Sequence, residues 1–533
     1  VAAPLSLIQK RIVIASGLLM MAFALIGVRL VDVALFRDPP HAAVHSVAAF
    51  ILPRADLTDR NGALLARDLP VADLYARPRE IPGRLQAARS LAVAAGVSPE
   101  RLEKEFASAH PVVLIARRLS PDVQQHVLSL GLPALEFEPA ARRDYPQGAA
   151  AVQVLGSTDP DGNGVAGLEL GLDRTLKAEH APAVLSLDMR VQYALSHEIE
   201  EARKEFSARA GGGIVLDVRT GEILAMASLP DSESDASALA GVDPRRNRMA
   251  ADDYELGSVF KIFSFALALE DHTTRMDEEF PVGDGFKIGR FTIHDAEHMP
   301  PRLAARDILA LSSNPGTAQI ALRSGADRQK AFLARLGLLS SVRTELPERR
   351  SPMYPSHWGE VETATIGFGH GISVTPLAFV AAAATIVNGG RRIVPTFLKR
   401  DTDARGEQVI RPETSDAMRG LLRYVVTNGT GKKADVAGYD VGGKTGSAQK
   451  NNGRVYIAHK LLTSFCGVFP IDNPRYLVFV MLDEPHGTKE TFGLALAGFT
   501  AAPLAGKVIA RIAPMLGMPT TAPPVLTASK ENT

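Results

Sequence analysis

The sequence predicts an α+β protein whose main domain is an antiparallel sheet covered by helices, and three observations predict it. The second half holds apolar strand runs early ("GGGIVLDVRTGEILAMAS", Gly211 to Ser228) and late ("LLTSFCGVFP" and "RYLVFVMLDEP"). Helical stretches lie before, between and after these runs, the order expected of a sheet with helices packed on it. The chain has 533 residues, which is too long for one ordinary domain, so two or three are expected.

The first element is apolar. Ile12 to Val28 carries no charge, and the run continues to Phe36 past Arg29 and Asp32. It approaches the ~20 residues needed to cross a bilayer. Lys10 and Arg11 precede it, which favours a cytoplasmic N-terminus. No clean small-x-small cleavage site follows, so an uncleaved single-pass anchor is expected rather than a signal peptide. Residues 37–50 are a polar segment leaving the membrane. "RADLTDRNGALLARDLP" then carries an Asn61-Gly62 hairpin signal. Residues 84–130 read as short helices, restarted at Ser98-Pro99. Arg142 to Leu176 reads as strands and turns. Its Asp-Gly-Asn-Gly run lacks the ligand spacing and terminal Glu of a calcium loop and reads as a plain turn.

The second half opens with an amphipathic helix, Met189 to Arg203. The hairpin around Arg219-Thr220-Gly221 follows, and a helix from Ala501 to Leu516 closes the domain. The Pro/Thr/Ala-rich tail reads as disordered.

Composition excludes some functions. Lys+Arg and Asp+Glu are equal at 59 each, so no basic bias suggests nucleic acid. Cys466 is the only cysteine, which excludes an intrachain disulfide framework and a cysteine-based metal site. It reads as a buried strand residue. His294, His298 and His370 lie in loop-like stretches without metal spacing and read as structural or surface residues.

"ELGSVFKIFSFALAL", Glu255 to Leu269, carries one charge in a run otherwise suited to burial, Lys261, three residues after Ser258. Residues i and i+3 share a helix face. A serine hydroxyl needs a base to become a nucleophile, and a desolvated lysine has the lowered pKa a base requires. The alternative is a lysine near a helix end that snorkels to water. Glu255 reads as a helix-start carboxylate rather than a catalytic acid. Two further clusters follow: "LSSNPG", with Ser312 and Asn314 in S-x-N spacing, and "VGGKTGSAQK", with Lys444-Thr445-Gly446 on an apparent strand. Each alone reads as a helix cap or a turn. The three in this order form the motif set of penicillin-binding proteins and class A β-lactamases.

The chain resembles a class B penicillin-binding protein, above all the division-type (FtsI-like) peptidoglycan D,D-transpeptidase, from Arg54 to Pro485. "RRDYPQGAAAVQVLGSTDPDGNGVAGLE" resembles the division-type pedestal segment. "RNRMAADDYELGSVFK", "IGFGHGISVTPL" and "VTNGTGKKADVAGYDVGGKTGSAQK" follow in the family's order. Leu256 stands where Pro is usual, and Ser447 where Thr is common.

The resemblance implies a cytoplasmic stub and transmembrane anchor (1–36), an elongated non-catalytic, dimerisation-like pedestal (37–180), a transpeptidase domain with a five-stranded antiparallel sheet (181–516) and a tail (517–533). It implies inner-membrane attachment with a periplasmic catalytic domain. It implies acyl transfer on the D-Ala-D-Ala end of a stem peptide during septal synthesis, blocked by β-lactams, with no metal or organic cofactor. Ser258 is then the nucleophile and Lys261 its base. Ser312 passes a proton to the leaving amine with Lys444 behind it, and Asn314 holds Lys261 and the substrate amide. Thr445, Gly446 and Ser447 line the substrate's carboxylate end, and the Ser258 and Ser447 amides form the oxyanion hole. The implied partner is a SEDS-family (FtsW-like) glycan polymerase among other division proteins. The alternatives are an elongation-type transpeptidase, or a β-lactamase or β-lactam sensor on the same fold.

Overall fold

The computed structural model describes residues 7–31, 53–179, 181–234, 243–404, 406–451 and 456–520. The chain divides into two compact units, Val1–Leu52 with Pro70–Ala141, and Pro53–Leu69 with Arg142–Thr533.

The first unit begins with a 25-residue helix, Leu7–Val31. Its side chains are described from 16 to 29, where Leu18, Met20, Phe23 and Leu25 are exposed. Among the described residues no helix is long and apolar enough to cross a membrane. The predicted apolar run, Ile12 to Phe36, continues beyond the described residues at its C-terminal end. The polar segment 37–50, and the tail from 521 onward, lie outside them.

Helices Arg84–Ala95 and Pro99–Ala107 form where helical spacing predicts them, and Ser98 caps the second by accepting from the Arg101 amide. Between them and helix Pro121–Ser129 the structure has a strand, Val113–Leu119, where short helices were expected. Val113, Ile115 and Leu119 are buried on one side of it, so the alternation of a half-buried strand overrides helix spacing here. Leu91, Leu102, Phe106, Ile115 and Val127 share the unit's core.

The second unit starts with the predicted hairpin. Gly62 turns at a φ of 90° between Leu57–Thr58 and the strand that starts at Leu64. The Asp-Gly-Asn-Gly run is the turn of a second hairpin, Ser157–Thr158 with Gly164–Ala166, and Asp159 Oδ1 accepts from the Asp161 and Asn163 amides. Short helices Gly167–Gly171 and Asp173–Ala178 replace some of the strand expected next. They place Glu169 against two buried guanidinium groups. Arg54 Nε donates to Glu169 Oε2 at 2.6 Å and Arg143 Nε to Oε1 at 2.7 Å. Asp173 and Asp68 take further bonds from the same arginines.

The main sheet has five antiparallel strands: β1 (Ala210–Asp217), β2 (Ile223–Leu229), β3 (Gly442–Asn451), β4 (Tyr456–Phe469) and β5 (Tyr476–Asp483), in the order β3-β4-β5-β1-β2. Both faces are covered, so apolar residues run continuously and the period of two sorts them between layers. Val215, Val478 and Val480 face helices α1 (Met189–Glu205) and α5 (Ala501–Met515). Ile214, Leu216, Phe479 and Met481 face the core that holds helix α2 (Lys261–Glu270). Cys466 lies buried on β4, opposite Lys444.

Candidate active site

The nucleophile candidate stands on a short 3-10 turn, Gly257–Phe260, which runs into α2. The apolar run that carries Lys261 therefore enters its helix through a tighter turn. This turn lies against β3 at very close range. A Cβ on Gly446 would stand 2.6 Å from the Leu256 carbonyl oxygen and 2.6 Å from Ser464 Oγ. Gly257 has a φ of 61°, and a Cβ there would meet the Ser447 carbonyl at 3.0 Å. Glycine on both sides lets the turn carrying Ser258 and the strand carrying Lys444 approach this closely. Leu256 is fully buried in the core, at backbone angles of −84° and −3°.

Lys261 is completely buried and does not snorkel. Its Nζ donates to the Ser312 carbonyl and, at 3.1 Å, to Ser312 Oγ. Ser312 ends helix α3 (Ala305–Leu311) with a φ of 67°, a left-handed conformation unusual for serine. That conformation turns both its oxygens toward Lys261. From the other side Lys444, also fully buried, donates to the same Oγ at 2.9 Å. It also reaches the Thr445 carbonyl at 3.1 Å and Thr445 Oγ1 at 3.3 Å. Two buried lysines thus converge on one hydroxyl, and neither makes an ion pair with a carboxylate among the described residues.

Burial, and then the positive charge of Lys444, push Lys261 well below the ordinary ammonium range, against a smaller upward pull from Asp295. Burial brings Lys444 down to about 7.

Ser258, Ser312, Asn314, Thr445 and Ser447 line one cavity of about 400 Å³. Ser447 Oγ accepts from the Ala497 amide at 3.0 Å, which holds the oxygen and leaves its hydrogen to donate. Asn314 lines the cavity but makes no bond to Lys261. Its backbone N–H donates to Asp295 Oδ1 at 2.6 Å, and Ser313 Oγ donates to Asp295 Oδ2 at 2.7 Å. Ser313 caps helix α4 (Asn314–Ser324), so the Ser-Ser-Asn run is a helix cap and a cavity wall together. Ser258 Oγ makes no hydrogen bond among the described residues.

Sequence reasoning did not single out Asp295, Thr430, Lys432, Lys433 or Phe499, all of which line this cavity. Thr430 Oγ1 lies 2.6 Å from Thr445 Oγ1. The segment "TNGTGKK" was a visible signal for Thr430. Asp295 had none, since it lies in no motif and its partners Ser313 and Asn314 are 18 and 19 residues away. His294 and His298 are exposed, and His370 is packed between Phe368 and Tyr456. Glu255 does not cap the Gly257–Phe260 turn. Its carboxylate accepts from Tyr456 Oη at 3.0 Å and the Gly371 amide at 3.2 Å.

Residues 211–509 match the family model of the penicillin binding protein transpeptidase domain, and residues 52–190 that of the penicillin-binding protein dimerisation domain. A probable peptidoglycan D,D-transpeptidase FtsI of Caulobacter vibrioides is 38% identical, over 87% of this chain and 82% of that protein. A probable peptidoglycan D,D-transpeptidase PenA of Neisseria meningitidis is 33% identical, over 90% and 87%. Penicillin-binding protein 3 of Mycobacterium tuberculosis in complex with ampicillin superimposes with a TM-score of 0.68 at 26% identity, covering 89% of this chain and 97% of that one.

Proposed function

The chain belongs to the penicillin-binding transpeptidase family, and on that premise we propose how its residues divide the work. It is a serine peptidoglycan D,D-transpeptidase of the FtsI type that β-lactams inhibit. Ser258 Oγ attacks the carbonyl of the penultimate D-alanine. Lys261 takes the proton. Its lowered pKa supplies the neutral amine, and with two N–H groups spent on Ser312 the lone pair is left for Ser258. Such a base contributes about 10²–10⁴-fold. The carbon–nitrogen bond breaks, Ser312 hands a proton to the leaving D-alanine, and Lys444 restores it. Asn314 holds the substrate amide. Thr445 and Ser447 hydroxyls receive the terminal carboxylate beside Gly446. The Ser258 and Ser447 amides hold the oxyanion, each worth about 3–4 kcal/mol in comparable sites. An amine of a neighbouring stem peptide then resolves the ester into a cross-link.

Residues 37–180 serve as the pedestal, 181–516 carry the chemistry and 517–533 form the tail. The uncharged run Ile12–Val28 with Lys10 and Arg11 before it supports a single inner-membrane anchor and a periplasmic catalytic unit. The FtsI name of a similar protein supports the septal role, and a SEDS-family (FtsW-like) polymerase with other division proteins is the partner set that the family resemblance implies.

The observation that carries the chemistry is the convergence of Lys261 and Lys444 on Ser312 Oγ at the wall of the cavity that Ser258 lines. Intact-mass measurement after penicillin treatment tests it. The expected result is an adduct on Ser258 that persists for minutes to hours once free drug is removed, and is absent from Ser258→Ala. Return of unmodified enzyme within seconds, with hydrolysed drug accumulating, would favour a β-lactamase instead.

A further inference from the structure

The deacylating amine reaches the site as an ammonium, because aliphatic amines are protonated at neutral pH. The donor cavity is poorly suited to receive it. Lys432 and Lys433 line it and Lys444 stands behind its wall. Of its two carboxylates, Asp295 is held by Ser313 and the Asn314 backbone N–H, and Glu297 is exposed at the rim. A cation therefore needs another approach to Ser258.

Glu255 offers one. It lies three residues before the nucleophile and is partly buried, and it pairs with no cation among the described residues. Its two oxygens accept from neutral donors only, Tyr456 Oη and the Gly371 amide. Its partner Tyr456 belongs to a row of rings: His370 packs 5.5 Å from Tyr456 and 5.2 Å from Phe368, centroid to centroid. The loop carrying His370 rests directly on the nucleophile turn, since a Cβ on Gly369 would stand 2.1 Å from the Gly257 carbonyl oxygen.

Burial raises the Glu255 pKa, the expected result for a carboxylate lacking a counter-ion. Burial and then the Lys261 charge bring His370 down to about 4, so its ring is neutral and does not repel a cation. A carboxylate without a counter-ion beside aromatic rings is the chemistry that receives an ammonium.

Resting on the transpeptidase reading, we propose that Glu255, with Tyr456 and His370, binds the ammonium of the acceptor peptide on the side of Ser258 away from the donor cavity. The ammonium gives one proton to solvent and its nitrogen attacks the ester carbonyl. The carbon–Oγ bond breaks, the second proton returns to Ser258 Oγ, and an amide is formed. Glu255 holds the amine for this step and takes no part in acylation chemistry.

The test uses the full chain, a D-alanyl thioester as donor, and two acceptors at neutral pH: glycinamide, largely cationic, and hydroxylamine, uncharged. The readout is the ratio of aminolysis to hydrolysis of one acyl-enzyme, which does not depend on how fast it formed. Glu255→Gln should lower the glycinamide ratio about tenfold, as expected for losing a hydrogen bond to a charged partner. The hydroxylamine ratio should stay within about twofold. An equal fall for both amines, as from a structural role, or no fall for either, overturns the proposal. Should Glu255→Gln not fold, Tyr456→Phe carries the test, since Tyr456 is 45% exposed. It should shift the glycinamide ratio in the same direction by about threefold, a smaller loss because one neutral donor goes, and an unchanged ratio overturns the proposal. A wild-type chain that forms no Ser258 ester with penicillin refutes the transpeptidase reading. An enzyme that acylates but ignores these substitutions refutes only the acceptor site.

Discussion

Arg54 and Arg143 in one region of the second unit, and Lys261 and Lys444 in another, are all buried cations, but their partners differ in kind. The arginines meet carboxylates. Glu169, wholly buried, takes one bond from each, and Asp173 and Asp68 take others. A guanidinium keeps its proton in a protein, so this cluster can only be satisfied by opposite charge. The lysines meet a hydroxyl and backbone carbonyls. An ammonium can give its proton away, and burial without a carboxylate favours that outcome. The first arrangement fixes a conformation. The second stores a base. The kind of partner, more than burial itself, separates a structural cation from a chemical one.

Lys261→Ala puts the comparison under the greatest strain. It should lower the penicillin acylation rate by about 10²–10⁴-fold. Its melting temperature should not fall in proportion, because the lost group is a desolvated amine without a counter-ion, whose burial costs offset much of what its bonds to Ser312 contribute. Glu169→Gln should do the reverse. Two arginines lose their shared charge partner, which costs about 3–5 kcal/mol in urea unfolding, while acylation per folded molecule stays within about twofold. Equal losses of stability and activity in both variants would erase the distinction.

The pH dependence of stability sharpens it. Lys444 sits at about 7 when folded and at the ordinary 10.5 when unfolded. Between those values the unfolded chain holds the extra proton, so stability rises with pH across the window. Below about 7 both states are protonated and the penalty of burial is complete. Lys444→Met should therefore be most stabilising relative to wild type near pH 6, with the advantage shrinking toward about pH 10. Melting curves of the two proteins over that range test this. A flat difference would mean that Lys444 is charged and satisfied like the arginines.

Arg60→Ala should have the smallest effect. Arg60 is partly exposed and reaches Glu222 at 3.4 Å. The expected loss is at most about 1 kcal/mol, with normal acylation.

The same contrast explains what was legible in the sequence. Ser258 and Lys261 are one helical turn apart, and Ser312 with Asn314 and Lys444 with Thr445 are close neighbours, so local spacing reported the core of the site. The sheet was legible because the strands around Cys466 and Val480 are buried on both faces and read as continuous apolar runs. Val113–Leu119 was not, because its alternation covers too few residues to compete with the helices on either side. Asp295 was invisible because it acts on the site across 19 residues. Glu255 was visible but misplaced. Its nearness to Ser258 suggested a helix cap, while its partners Gly371 and Tyr456 lie 116 and 201 residues away. Pairing at that range is set by the tertiary fold, through a loop at Gly371 and a strand start at Tyr456, and has no local signature.

The lone thiol has a practical consequence. Cys466 faces the core of β4, and burial pushes its pKa up, so the native chain presents no thiolate to solvent. Any cysteine introduced on the surface would be the single reactive one, without a cysteine-free background having to be built. Phe492 is 87% exposed, in the same inter-strand-to-helix connection as Leu496 and Phe499 of the cavity wall. A maleimide dye on Phe492→Cys would place a fluorophore beside the cleft, and drug occupancy could then be followed by emission in real time.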